Sequence, residues 1–121
     1  MRSWHRLALA ALLAAGCGSD EGGNPPPGDP GACETSYLEY KNFGQPFLLD
    51  WCSGCHSAAL PATMRQMAPA DVNFDTIDGV RRFQDRIAAR TTGASPTMPP
   101  AGGPSEEERA MLAEWFNCGA R

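Results

Sequence analysis

Long hydrophobic runs are missing from this chain. The longest, Leu7–Ala15, has nine residues, far short of the roughly 20 that a bilayer-spanning helix needs. No run of β-branched residues is available to build a sheet. The fold class expected is therefore all-α, and the βαβ setting of a thioredoxin-like redox site is absent. Histidine is almost missing too, with His5 and His56 the two in 121 residues, which leaves little imidazole for acid–base work. Basic charge is scarce: ten Lys and Arg stand against fourteen Asp and Glu, a net charge of −4. That balance speaks against nucleic acid as a partner. No internal repeat is present, and no second Cys-x-x-Cys pair exists to complete a four-ligand zinc site. The chain reads as a binding or carrier protein, not an enzyme.

What is present begins with an export pattern. Arg2 and Arg6 precede Leu7–Ala15, and the run closes on Gly16-Cys17, the order of a secretory signal. The rival reading of that run is a buried core helix. Leu13-Ala14-Ala15-Gly16-Cys17 resembles the lipobox of bacterial lipoproteins, although Ala14 stands where leucine is usual. The resemblance implies cleavage before Cys17, lipidation of that cysteine, and a lipid-anchored protein facing the periplasm or cell envelope. Acyl chains would hold it to the inner or outer membrane at roughly 0.8 kcal/mol per buried CH₂. Ordinary cleavage, leaving Cys17 as a free thiol, is the alternative. Without Arg2 and Arg6 the mature chain has a charge near −6. Residues 18–31 are glycine, proline and acids with no large apolar side chain, and so read as a tether that cannot bury a core. The folded domain is expected over 32–121.

Five cysteines, at 17, 33, 52, 55 and 118, must be accounted for. Cys33 and Cys118 stand at opposite ends of the expected domain, and an oxidising compartment favours a disulfide between them. Two free thiols or a metal role are the alternatives. Cys52-Ser53-Gly54-Cys55-His56 is the Cys-x-x-Cys-His signal of c-type haem attachment. In that chemistry two thiols three positions apart add to the vinyl groups of one porphyrin, and the following histidine becomes the proximal iron ligand.

Once His5 leaves with the signal, His56 is the single mature histidine, so a second imidazole is unavailable and methionine is the remaining common axial partner. The candidates are Met64, Met67, Met98 and Met111. Met111 falls on the apolar stripe of an expected helix and reads as core. Met64 and Met67 lie close after His56 and would be harder to bring round a porphyrin edge. Met98 sits in Ser95–Gly103, where prolines hold the backbone extended, and is the residue expected on the iron. Its rival role is an ordinary loop methionine filling a gap.

Together, Cys52-x-x-Cys55-His56, a helix, Met98-Pro99-Pro100 and a capped helix containing Trp115 resemble a class I monohaem cytochrome c, most of all the short domains of bacterial lipoproteins. The likeness runs from Cys33 to Gly119. It implies three to four short helices wrapped around one covalent haem c, His56 proximal, Met98 distal, and Cys52 and Cys55 as thioethers. It also implies redox partner proteins and a monomer. Where the family's first helix is usually continuous, Asn42–Pro46 predicts a break.

The helical frame is readable by periodicity. Phe47, Leu48, Trp51, Cys52 and Cys55 share one helical face, with Pro46 suited to a first position, and an earlier turn is expected at 37–40. Ile77, Val80, Phe83 and Ile87 predict one helix to about Arg90, capped by Asp75 or Thr76 and stopped near Gly93. Ser105 and Glu108 make a capping box for a last helix whose stripe is Met111, Leu112 and Trp115, ended by Gly119. Between 56 and 73 a loop is expected, with a helical turn near 62–67. So small a domain is marginal on its own core, and the haem-free chain is expected to be largely unfolded.

The function expected is outer-sphere single-electron transfer, since two protein ligands leave iron no open position. Two alternatives remain: a haem sensor in which Met98 dissociates to admit a small ligand, and a haemless disulfide-stapled lipoprotein that acts as an interaction module.

Overall fold

The computed structural model describes residues 30–121. The expected export signal, Cys17 and residues 18–29 lie outside the described residues. Five α-helices follow one another: α1 (Pro30–Thr35), α2 (Gln45–Trp51), α3 (Ile77–Arg82), α4 (Gln84–Thr91) and α5 (Glu106–Asn117). A π-helical turn, Tyr40–Gly44, leads into α2, and a 3-10 turn spans Ala62–Met64. No strand occurs among the described residues, so the class is all-α, with five α-helices where three to four were expected. The difference arises at two places. The first helix starts at Pro30, so the last two residues read as tether are helical. The helix expected from Ile77 onward is interrupted at Phe83, whose φ of −112° and ψ of 11° leave the helical region. No glycine or proline marks that break; the Phe83 ring instead turns edge-on to Phe74, 6.3 Å between centroids.

The break expected at Asn42–Pro46 is absent. Gly44 has helical torsions (φ −57°, ψ −51°), and the chain coils without interruption from Tyr40 to Trp51. Wider i→i−5 bonds, Gly44 N–H to the Glu39 carbonyl at 3.1 Å among them, mark a π register. That register precedes Pro46, which has no N–H to donate in any case. The helical turn expected at 37–40 is not formed: Glu39 is extended and acts as the cap.

Elsewhere local signals act as written. The Ser105 N–H donates to Glu108 Oε2 (2.7 Å) and the Glu108 N–H to Ser105 Oγ (3.2 Å), both halves of the capping box. At the far end of α5 the Gly119 N–H meets the Phe116 carbonyl and the Ala120 N–H the Trp115 carbonyl, each at 2.9 Å. This is the two-bond helix stop that a glycine at positive φ allows, and Gly119 has φ +81°. Thr76 caps α3, accepting from the Gly79 N–H at 3.1 Å.

The core gathers Leu38, Phe43, Phe47, Leu48, Phe74, Val80, Ile87, Leu112, Trp115, Phe116 and Ala120. Trp115 is its centre, fully buried, with Nε1 donating to the Arg121 carbonyl at 3.1 Å. Phe116 stacks on it at 5.3 Å and Phe43 meets it edge-on at 6.1 Å. Met111 packs half-buried against this cluster. Cys33 on α1 and Cys118 at the end of α5 are joined as a disulfide, Cα–Cα 5.3 Å, across 85 positions of sequence. The α1 segment is thereby tied to the helix that carries Trp115.

Candidate functional site

Cys52, the residue that ends α2, leaves helical torsions at φ −120°. The chain then makes a compact turn in which the Cys55 and His56 N–H groups both donate to the Cys52 carbonyl, at 3.1 and 2.9 Å. Ser53 returns to α2, its N–H and Oγ both on the Leu48 carbonyl. The Cys-x-x-Cys-His segment is thus a turn fastened to the helix end rather than further helix, a departure from the periodic expectation. Its three side chains nonetheless line a single cavity of about 460 Å³. Met98, Pro99 and Pro100 line the same cavity, from a segment of bends and a turn beyond α4 where an extended stretch was expected.

The walls between are largely apolar, with Trp51, Val72, Phe74, Phe83 and Ile87. Arg65, Arg86 and Arg90 add cationic groups. Of the other methionines weighed, Met64 and Met111 do not line the cavity, and Met67 lines it but is almost wholly exposed. Cys33 and Cys118 stand apart, bonded to one another.

His56 is held on two sides. Its ring stacks on Phe74 at 4.8 Å and 27°, and Phe74 in turn donates its N–H to the His56 carbonyl at 2.9 Å. Nδ1 lies 3.1 Å from the Val72 carbonyl. A carbonyl can only accept, so Nδ1 carries the proton and Nε2 is left with a lone pair. Fixing the tautomer through the second ring nitrogen is how proteins orient a histidine for a metal.

The sequence carried no signal for Arg65, and it organises this side of the cavity. It is 4% exposed, yet its guanidinium bonds only backbone carbonyls: Ala68 at 3.3 Å, Pro69 at 2.6 Å, Val72 at 3.1 Å, and Ser57. The Val72 carbonyl is the one that also receives His56 Nδ1. The guanidinium fork therefore gathers residues 57–72 into a loop that presents this carbonyl to the histidine. Asp75 stands close enough to feel the charge of Arg65. Its carboxyl is held below the usual carboxylate value, first by the Ala58 N–H and then by Ser57.

Burial pushes the Cys52 thiol up to about 12. A thiol kept protonated is a poor nucleophile and a poor thiolate ligand, whereas a thioether at the same place carries no charge to desolvate. Among the described residues no three His, Cys, Asp or Glu side chains converge on a point; a structural zinc site asks for four.

No protein-family model, curated protein or solved structure matches the chain. The site stands on its own residues.

Proposed function

We propose that this chain carries one haem c, thioether-linked through Cys52 and Cys55 and axially ligated by His56 and Met98, and that it passes single electrons between partner proteins. The observation that carries the proposal is convergence. The two thiols and histidine of one short motif, and a methionine far from it in sequence, line one largely apolar cavity. That volume falls within the roughly 300–1,000 Å³ of small-molecule and cofactor sites.

Each residue then has a task. Cys52 and Cys55 bind the group covalently, so it cannot dissociate as the protein moves between partners. His56, its Nδ1 committed to Val72, offers Nε2. Met98 supplies a thioether, and Met/His ligation raises the potential relative to other axial sets. Trp51, Phe74, Phe83 and Ile87 exclude water and stiffen the surroundings, which keeps reorganisation small and tunes the potential. The bound group supplies a reversible one-electron iron couple. Lipidation at Cys17 and export to the cell envelope belong to the same proposal and rest on the N-terminal sequence.

The test is a visible spectrum, oxidised and reduced, of protein matured in a periplasm able to attach haem. A covalent low-spin c-type signature is expected, with a methionine–iron band that Met98→Ala abolishes. The reduced protein should be indifferent to carbon monoxide; ready binding would replace electron carriage by ligand sensing. Acid-extracted protein that is colourless, with the Cys52 and Cys55 thiols open to alkylation, overturns the proposal.

A further inference from the structure

The segment that carries Met98 has no helix or strand of its own, since residues 92–105 lie between α4 and α5. Its position has to come from somewhere else. Two backbone bonds hold it from one side: the Thr97 and Met98 N–H groups both donate to the Arg90 carbonyl at the end of α4, at 2.8 and 2.9 Å. From the other side comes one side chain, Arg109 of α5.

Its Nη1 donates to the Thr91 carbonyl at 2.5 Å and to the Met98 carbonyl at 3.3 Å, and its Nε to the Pro104 carbonyl at 2.9 Å. One planar guanidinium thus joins the start, middle and end of the segment. The half-buried charge forms no ion pair among the described residues. Glu108, next to it in sequence, commits its carboxylate to the Ser105 N–H. The fork is spent on carbonyls, a geometry that a lysine ammonium cannot copy.

Gly103 gives independent support. A Cβ there would lie 2.7 Å from Pro99 Cδ and 2.9 Å from Arg109 Nη2. The segment closes over the guanidinium because that position has no side chain.

We infer that Arg109, seated against Gly103, is the positioning residue that holds Met98 at the cavity. This rests on the haem reading for its consequence at iron, though not for the clasp itself. With Arg109 in place the Met98 thioether is kept at the cavity, where it would be available to ligate a bound haem iron. Without it the middle of the segment keeps the bonds of the Thr97 and Met98 N–H groups to Arg90 but loses its tie to α5, and the methionine would leave more readily.

The test uses the full exported chain and the variants Arg109→Met, Arg109→Lys and Gly103→Ala. Arg81→Met serves as control, because Arg81 also bonds a backbone carbonyl, Ala120 at 2.9 and 3.2 Å, and does not line the cavity. Both Arg109 variants should weaken the methionine–iron band and raise carbon monoxide binding on the order of tenfold, the weight of a charge-assisted hydrogen bond. Gly103→Ala should act in the same direction and serves if Arg109→Met fails to fold. Hydrogen exchange at the Thr97 and Met98 amides should accelerate in parallel. Arg81→Met should lower the melting temperature and leave all three readings at the parent value. Unchanged band and exchange in Arg109→Met overturn the inference. So does an equal change in Arg81→Met, which marks general loosening, or full rescue by Arg109→Lys, which makes charge the cause. A parent that acquires no haem yet melts cooperatively removes the functional proposal instead, and the amide exchange at Met98 then judges the clasp; a parent that neither acquires haem nor folds overturns both.

Discussion

Replacing Gly44 by alanine sets two effects of opposite sign against each other, and the structure says which wins. Gly44 lies in the helical region, with φ −57° and ψ −51°, and on propensity alone alanine there should stabilise by about 1 kcal/mol. The added Cβ, however, would sit 2.5 Å from Cη2 and 3.0 Å from Cε2 of Trp115. Ordinary contact between carbons needs roughly 3.5–4.0 Å, so something must move by about 1 Å. Trp115 has little room to yield: it is fully buried, tied through Nε1 to the Arg121 carbonyl, and packed against Phe43 and Phe116. Overpacking of this kind costs typically 1–3 kcal/mol, occasionally more, and here the upper part of that range applies. The expected net effect is a loss of about 1–2 kcal/mol, a melting temperature lower by roughly 5–15 °C in a domain of this size. Thermal and denaturant unfolding of the mature domain measure it. The paired control is Gly54→Ala, inside the Cys-x-x-Cys-His turn, where a Cβ would meet nothing within 4 Å and stability should be unchanged. A Gly44→Ala protein as stable as its parent, or more so, refutes the reasoning.

Three other outcomes follow from the same geometry. Cys33→Ser should destabilise by about 4–5 kcal/mol, because the bond closes a loop spanning 85 positions; reduction of the parent should lower the melting temperature comparably. Arg65→Met leaves the carbonyls of Ser57, Ala68, Pro69 and Val72 without this donor. It should cost on the order of 3 kcal/mol and shift the His56 ring resonances in NMR spectra. Asp75 has a carboxyl lowered by the Ala58 N–H and by Ser57, so its stabilising contribution is complete above the ordinary carboxylate value and is lost as pH falls through the lowered one. Asp75→Asn should therefore flatten the acid limb of a stability–pH curve and leave its slope near neutrality unaltered.

Much of this was legible before any coordinates. The capping box at Ser105 and Glu108, the stop at Gly119 and the Thr76 cap are each decided within a few residues, and each formed where the sequence pointed. The pairing of Cys33 with Cys118 was expected from counting thiols and setting aside the Cys52–Cys55 motif and Cys17. Misreadings arose where a local cue had a distant cause. Gly44 looks like a helix breaker beside Pro46, yet it is glycine because Trp115, far along the chain, occupies the space a side chain would need. The stripe through Phe83 looks continuous, yet the helix steps there as the ring turns to Phe74.

The sequence alone determined an all-α chain with two cysteines and a histidine in one short motif, a methionine in a proline-rich segment without helix, and the ends of its longest helix. These are statements about neighbours along the backbone, where periodicity and capping operate. Only the tertiary structure decided that Met98 lines the same cavity as His56, that Val72 sets the histidine tautomer, and that the buried Arg65 and the half-buried Arg109 each spend their charge on backbone carbonyls. Those facts depend on groups brought together by packing, and nothing in the local pattern of an arginine says which distant carbonyls it will find.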